Sequence, residues 1–198
     1  MENKFQYHIF APYRVCPLGA HVDHQHGLVT GFAINKGVDL WFDVNEGNHI
    51  HLESKTFEGT VDFEIDSPSQ VKHGNWGDYA RGAKFALRKR FELKRGITGV
   101  IQGSLPVGGL SSSAAVLIAY VMALAKANDI QLQPFEVVKI ASEAERKYIG
   151  LNNGLLDQAC IALGKKDGLL FLDCDSDEWC IIKRNPEMCQ PPMRMPVL

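Results

Sequence analysis

The 198-residue sequence predicts an α+β domain, with helices packed on one face of a mixed sheet. Two observations carry this. Short β-type runs crowd the first third of the chain, and from about residue 75 apolar residues recur at helical spacing. A third observation bounds it: a chain of this length, 45% hydrophobic, holds one full-sized core and needs no staples.

The β-type runs cover residues 6–12, 37–44, 49–53 and 61–65, punctuated by Asn, Gly and Ser-Pro, with Asn-Glu-Gly-Asn at 45–48 as a hairpin turn. The period then changes. Between residues 75 and 91, Tyr79, Ala83, Leu87 and Phe91 share one helical face, opposite Lys84, Arg88 and Lys89. A strand at 99–103 leads into a Gly-Ser turn and a helix over 111–128. A further helix spans 134–150, opened by Pro134 and stopped by Gly150. A shorter helix begins near Asn153, and strands follow at 169–173 and 179–182. No internal repeat or linker stands out. Residues 185–198, with four prolines and no periodicity, read as a disordered tail beyond a domain of residues 1–184.

Composition narrows the function. A formal charge of −2 leaves no electrostatic footprint for nucleic acid or an anionic membrane. The longest apolar stretch, residues 114–125, is too short to span a bilayer and reads as a buried helix. Five scattered cysteines without a C-x-x-C pair point to free thiols in a reducing cytoplasm. No basic region followed by an apolar run opens the chain, so no signal peptide is read.

Three segments carry chemistry. In LPVGGLSSSAAVLIAYVMALA (105–125), Gly108 and Gly109 allow close backbone approach to a ligand. Leu110, Ser111, Ser112 and Ser113 follow where a helix begins, and free N–H groups there suit an anion such as a triphosphate. Serine hydroxyls also ligate Mg2+. A serine N-cap with a glycine turn is the plain alternative, and the absent Gly-Lys-Ser/Thr excludes a Walker A loop. The second segment, APYRVCPLGAHVDHQHG (11–27), gathers Arg14, His21, Asp23, His24 and His26 in a turn-rich stretch after a strand. Three histidines and an aspartate leave a zinc or iron site open as an alternative. The third, SEAERKYIGLNNGLLDQA (142–159), sets Glu145 near one helix end and Asp157 in the first turn of the next, where an acid can also merely complement the helix dipole.

Together these segments resemble the GHMP kinases, the superfamily of galactokinase, homoserine kinase and mevalonate kinase. PVGGLSSSAA resembles their glycine-serine phosphate loop, with one residue fewer between the glycines. The 11–27 segment resembles the galactokinase signature Gly-Arg-Val-Asn-x-x-Gly-Glu-His-x-Asp-Tyr, and the third segment the pattern ending Gly-Ile-Met-Asp-Gln. The resemblance implies the family's N-terminal domain, with ATP and Mg2+ as cofactors and a small sugar as substrate. It implies Gly108 to Ser113 on the triphosphate, with Trp76 of NWGDYARGAKFAL near the adenine; aromatic core packing would also explain Trp76. Ser113 and Glu145 would hold the metal. Asp157 would orient the anomeric hydroxyl and Arg14 would offset charge at the phosphoryl group. His21, Asp23, Ala20 and Gly154 would line the sugar pocket. LLFLDC (169–174) resembles a structural strand of the family.

Departures refine the expectation. The galactokinase glutamate that faces the sugar's C6 end is Ala20 here, and the asparagine after Arg-Val is Cys16. Loss of that carboxylate removes repulsion from a C6 carboxylate, and the string is similar to that of plant-type galacturonokinases. D-galacturonate is therefore the favoured acceptor, with D-galactose its competitor. A homoserine- or mevalonate-type kinase is disfavoured by the His21–Asp23 segment. The family's C-terminal domain has no counterpart, which suggests a truncated product, weakly active or inactive, with exposed apolar surface that favours self-association. A non-catalytic nucleotide- or sugar-binding protein on the same scaffold is the alternative from another class.

Overall fold

In the computed structural model, residues 4–68, 71–105 and 108–183 are described. The tail expected at 185–198, and Pro106 and Val107 of the glycine turn, lie outside them.

Among the described residues, seven strands form one sheet: β1 (Tyr7–Leu18), β2 (Leu28–Val44), β3 (His49–Ser54), β4 (Thr60–Glu64), β5 (Ile97–Gly103), β6 (Gly168–Asp173) and β7 (Trp179–Lys183). The order runs β4-β3-β5-β2-β6-β7, with β1 paired to β2. Only β3 and β5 run parallel; the other pairs are antiparallel, so the sheet is mixed. The α-helices α1 (Asp78–Arg88), α2 (Ser112–Ala127), α3 (Pro134–Glu143) and α4 (Leu156–Leu163) complete the α+β architecture of the described residues. Val38, Leu40 and Phe42 of β2, with Ile50 and Leu52 of β3, turn inward and join α1 and α2 in one core, while Asp39, Trp41, His49 and His51 between them point away. The apolar stretch 114–125 lies in α2, whose buried Leu117, Tyr120, Val121 and Leu124 place it at the centre of that core. No helix among the described residues is long and apolar enough to cross a membrane.

Two expectations change. The first strand does not stop at residue 12, and β2 begins nine residues earlier than expected, so residues 11–18 are extended rather than turn-rich. Pro12 and Pro17 mask this in the sequence; β1 accepts them because β2 is the one strand it pairs with among the described residues. Its register is interrupted between Pro12 and Arg14 and between Val15 and Leu18, and such irregularities re-aim side chains. The helix expected over 134–150 is also not uniform: α3 ends at Glu143 and widens to a π-helical turn, Ala144–Ile149, before Gly150 stops it in the left-handed region (φ 86°). Single π-turns are frequent where a functional side chain must be displaced. Glu145 is its second residue.

A charged residue is also buried. Lys84, expected on an exposed face, is 1% exposed. Its Nζ donates to Ser67 O at 2.9 Å, Ser67 Oγ at 3.1 Å and Glu64 O at 3.3 Å, and sits 5.2 Å from the Phe63 ring centre. Burial, reinforced by Arg88 and Arg81, brings its pKa down to about 8.

Candidate active site

Arg14 and Asp157, 143 positions apart, meet where β1 passes the start of α4. Arg14 Nε donates to Asp157 Oδ1 at 2.6 Å, and the two side chains are only 16% and 20% exposed. The guanidinium also donates to the Gly109 carbonyl at 3.1 Å, and the Arg14 backbone N–H reaches Leu110 O at 3.3 Å. Burial works against the Arg14 charge, but the hydrogen bond and charge of Asp157 outweigh it and hold its pKa above the ordinary value. The glycine turn and the Asp157 carboxylate are thus tied to one arginine.

The turn itself needs left-handed backbone. Gly108 and Gly109 have φ of 150° and 65°, and Ser111 follows at 57°. Ser111 occupies the N-cap position of α2 but makes no side-chain cap bond. Its hydroxyl donates to Asp157 Oδ2 instead. The capping alternative is therefore not what the Ser111 side chain does. Ser112 and Ser113 form the first turn of α2, with Ser113 alongside Glu145.

Glu145 is 1% exposed and carries a carboxylate in that setting. Gln158 Nε2 donates to its Oε2 at 2.6 Å, while Oε1 has no hydrogen-bond partner. Burial pushes its pKa up; neighbouring Ser113, Asn153 and Gln158 oppose the rise. A buried carboxylate oxygen without a partner, next to a serine hydroxyl at a helix N-terminus, is a fitting donor set for Mg2+, which favours carboxylates and phosphate oxygens.

Beside the turn lies a cleft of about 370 Å³. Gly108, Gly109 and the three serines form one wall; Tyr13, Phe57, Trp76, Tyr79 and Tyr120 form much of the rest. Trp76 lines this cleft, packs against the core, and donates its indole N–H to Glu58 O at 3.3 Å. Tyr120 is fully buried with an unpartnered hydroxyl, and burial raises its pKa.

The β1–β2 connection is drawn in from one side only. Asp23, in a short 3-10 turn, packs on Gly154: a Cβ there would meet Asp23 Cγ at 2.6 Å and its backbone carbon at 2.5 Å. Glycine is required at that approach. Ala20 and His21 are exposed on the same loop. The metal alternative for this stretch does not assemble: His24 Nδ1 lies 3.4 Å from Asp23 Oδ1, His26 pairs with Asp175 at 3.6 Å, and no third ligand joins either pair among the described residues.

Residues 78–165 match the family described as the GHMP kinases N terminal domain. Those residues carry the N-terminal domain of the GHMP kinases, and the fold is that domain's. It is 41% identical over 203 residues to a galacturonokinase of Arabidopsis thaliana, covering 92% of this chain and 47% of that protein. It is 35% identical over 171 residues to a galactokinase of Clostridium perfringens (84% and 44%). The crystal structure of Lactococcus lactis galactokinase complexed with galactose superposes with a TM-score of 0.85 at 28% identity, over 89% of this chain and 46% of that one. Methanococcus jannaschii mevalonate kinase, with a TM-score of 0.74 at 21% identity, shares the fold. The chain spans about half the length of the relatives it matches.

Within this GHMP domain, sequence reasoning missed the cleft walls supplied by Tyr13, Phe57 and Tyr120, and the Gln158 that steadies Glu145. It also missed a thiol pair. Cys16, two residues past Arg14 on β1, and Cys160, one turn past Asp157 on α4, adjoin the ion pair. Hydrogen bonding with Cys160 lowers the Cys16 pKa, while Cys160 is pushed up, first by Cys16 and then by burial. Cys16, Cys160, Cys174 and Cys180 are free thiols.

Proposed function

We propose that this chain is the ATP- and sugar-binding part of a sugar-1-kinase, and that its acceptor is D-galacturonate. The observation that carries the reading is Asp157 held on both oxygens, by Arg14 and by Ser111, directly beneath the glycine turn. A carboxylate fixed in this way is positioned to take the proton of an acceptor hydroxyl.

The chemistry follows from the parts. Free N–H groups at the start of α2 and the turn at Gly108 and Gly109 suit a triphosphate, with the aromatic cleft taking the base. Ser113 and Glu145 would hold Mg2+, which supplies charge neutralisation at the phosphates. The acceptor's anomeric oxygen loses its proton to Asp157 and bonds to the γ-phosphorus; the bond to the bridging oxygen breaks and ADP leaves. Arg14, already beside Asp157, offsets negative charge gathering on the transferred group. On the sugar side, Asp23 against Gly154 brings the β1–β2 loop to the approach to α4. Ala20 leaves that loop without the carboxylate that would repel a uronic acid. The 41% identity to a galacturonokinase supports the same choice over galactose.

A coupled ATP-turnover assay with Mg2+ tests this, offering D-galacturonate, D-galactose and homoserine separately. Turnover is expected on D-galacturonate, reduced roughly 100-fold or more in Asp157→Asn. Turnover on homoserine and neither sugar would overturn the reading. ATP binding without turnover on any acceptor would assign this chain a binding role instead.

A further inference from the structure

A second constellation stands on the face of the sheet turned away from the helices. On β3, Ile50 and Leu52 enter the core, so His49 and His51 project together to the outside. Asp62 of β4 is the register partner of His51. Its Oδ1 lies 2.7 Å from His49 Nε2 and its Oδ2 lies 2.7 Å from His51 Nδ1. Ligand atoms from the three residues all fall within 4.8 Å of one another, the one such His/Cys/Asp/Glu group among the described residues.

We propose that His49, His51 and Asp62 form a binding site for a divalent transition-metal cation of the zinc class. Two imidazoles and one carboxylate form a borderline-soft donor set that suits zinc, nickel or copper and not Mg2+, which takes oxygen ligands and octahedral geometry. Tetrahedral zinc with bonds of about 2.0–2.1 Å sets neighbouring ligand atoms roughly 3.3 Å apart. Closing from the present spacing takes small rotations of side chains that are 34% to 50% exposed. The backbone beneath them is fixed, because the ladder runs unbroken from His49 opposite Glu64 to Glu53 opposite Thr60. Glu64, across from His49, adds negative charge at the site. With three protein ligands, the fourth position falls to water, so the site is a surface clip and not a closed structural centre. The cation joins β3 to β4, the outermost strand at that edge of the sheet. The site is independent of the nucleotide cleft and of Ser113 and Glu145, so it takes zinc whether or not the kinase reading holds.

Isothermal titration with zinc chloride in excess magnesium chloride tests the site, on the wild-type chain, His51→Gln, Asp62→Asn and a control with His24→Gln. One equivalent is expected to bind the wild type and the control in the micromolar range, and to weaken at least tenfold in His51→Gln and Asp62→Asn. Zinc is also expected to raise the unfolding midpoint of the wild type and leave that of His51→Gln unmoved. All three side chains are solvent-accessible, and circular dichroism is to be recorded for each variant to check its fold. Unchanged zinc affinity in both hairpin variants, or loss of the equivalent only in His24→Gln, would overturn the proposal.

Discussion

The Arg14–Asp157 pair can be measured without any assumption about substrate, by a double-mutant cycle of Arg14→Met and Asp157→Asn. At roughly 4 Å between charge centres and an effective dielectric of about 20, the attraction is about 4 kcal/mol. Exposures of 16% and 20% allow some screening by water, so a coupling of about 1.5–3 kcal/mol is expected. Fully exposed pairs give only about 0.2–1 kcal/mol. Asp157→Asn alone strands a guanidinium with the Gly109 carbonyl as its remaining partner. Breaking one side of a buried pair costs about 3–5 kcal/mol, and partial exposure brings this to about 2–4. The single variant should therefore be less stable than the double. Urea unfolding of the four proteins, at low and at high salt, reads all the terms. A coupling below about 0.5 kcal/mol, or one that salt abolishes, would refute the claim that the fold holds Asp157 electrostatically in place.

Glu145→Gln removes a buried charge whose pKa burial has raised, so the ligand-free chain should unfold at a higher temperature, while the Mg2+ dependence of ATP binding should be lost; a lower midpoint would show that the carboxylate stabilises the fold as it stands. Lys84 bears on pH. Unfolded, it holds its proton to about pH 10.4, but folded only to about 8, so the unfolded chain binds more protons in that window and stability rises with pH across it. Lys84→Met removes this contribution; the stability of wild type minus variant should grow between about pH 8 and about pH 10, and a constant difference would show a solvated amine. Among the thiols at the ion pair, Cys16 should alkylate well before buried Cys160, and ATP-analogue binding or sugar should slow it; mass spectrometry of partially labelled protein reads the order, and preferential labelling of Cys160 would contradict the assigned pair.

By itself the sequence determined the elements that depend on neighbours along the chain. Periodicity marked α1, the apolar stretch after the Gly-Ser turn marked α2, Pro134 and Gly150 bracketed a helical segment, and short runs set off by Asn, Gly and Ser-Pro marked β3 and β4, because such signals are local properties. Local too was the chemistry of the Gly-Ser turn, since glycine before serine at a helix start signals anion affinity whatever lies elsewhere. Only tertiary structure could decide what the serines do. Ser111 forgoes its own helix end for Asp157, 46 positions away, and no local pattern reports that choice. The same holds for Pro12 and Pro17, which read as breakers until β1 takes one partner strand, and for the π-turn that frees a Glu145 oxygen. Lys84 and the His49–His51–Asp62 group make the point from opposite directions. A lysine drawn as solvent-facing is buried because Ser67 and Glu64 carbonyls fold over it, and two histidines with no evident role meet an aspartate across a strand register. Burial and cross-strand distance are set by which surfaces meet, and that is decided only when the sheet closes on its helices.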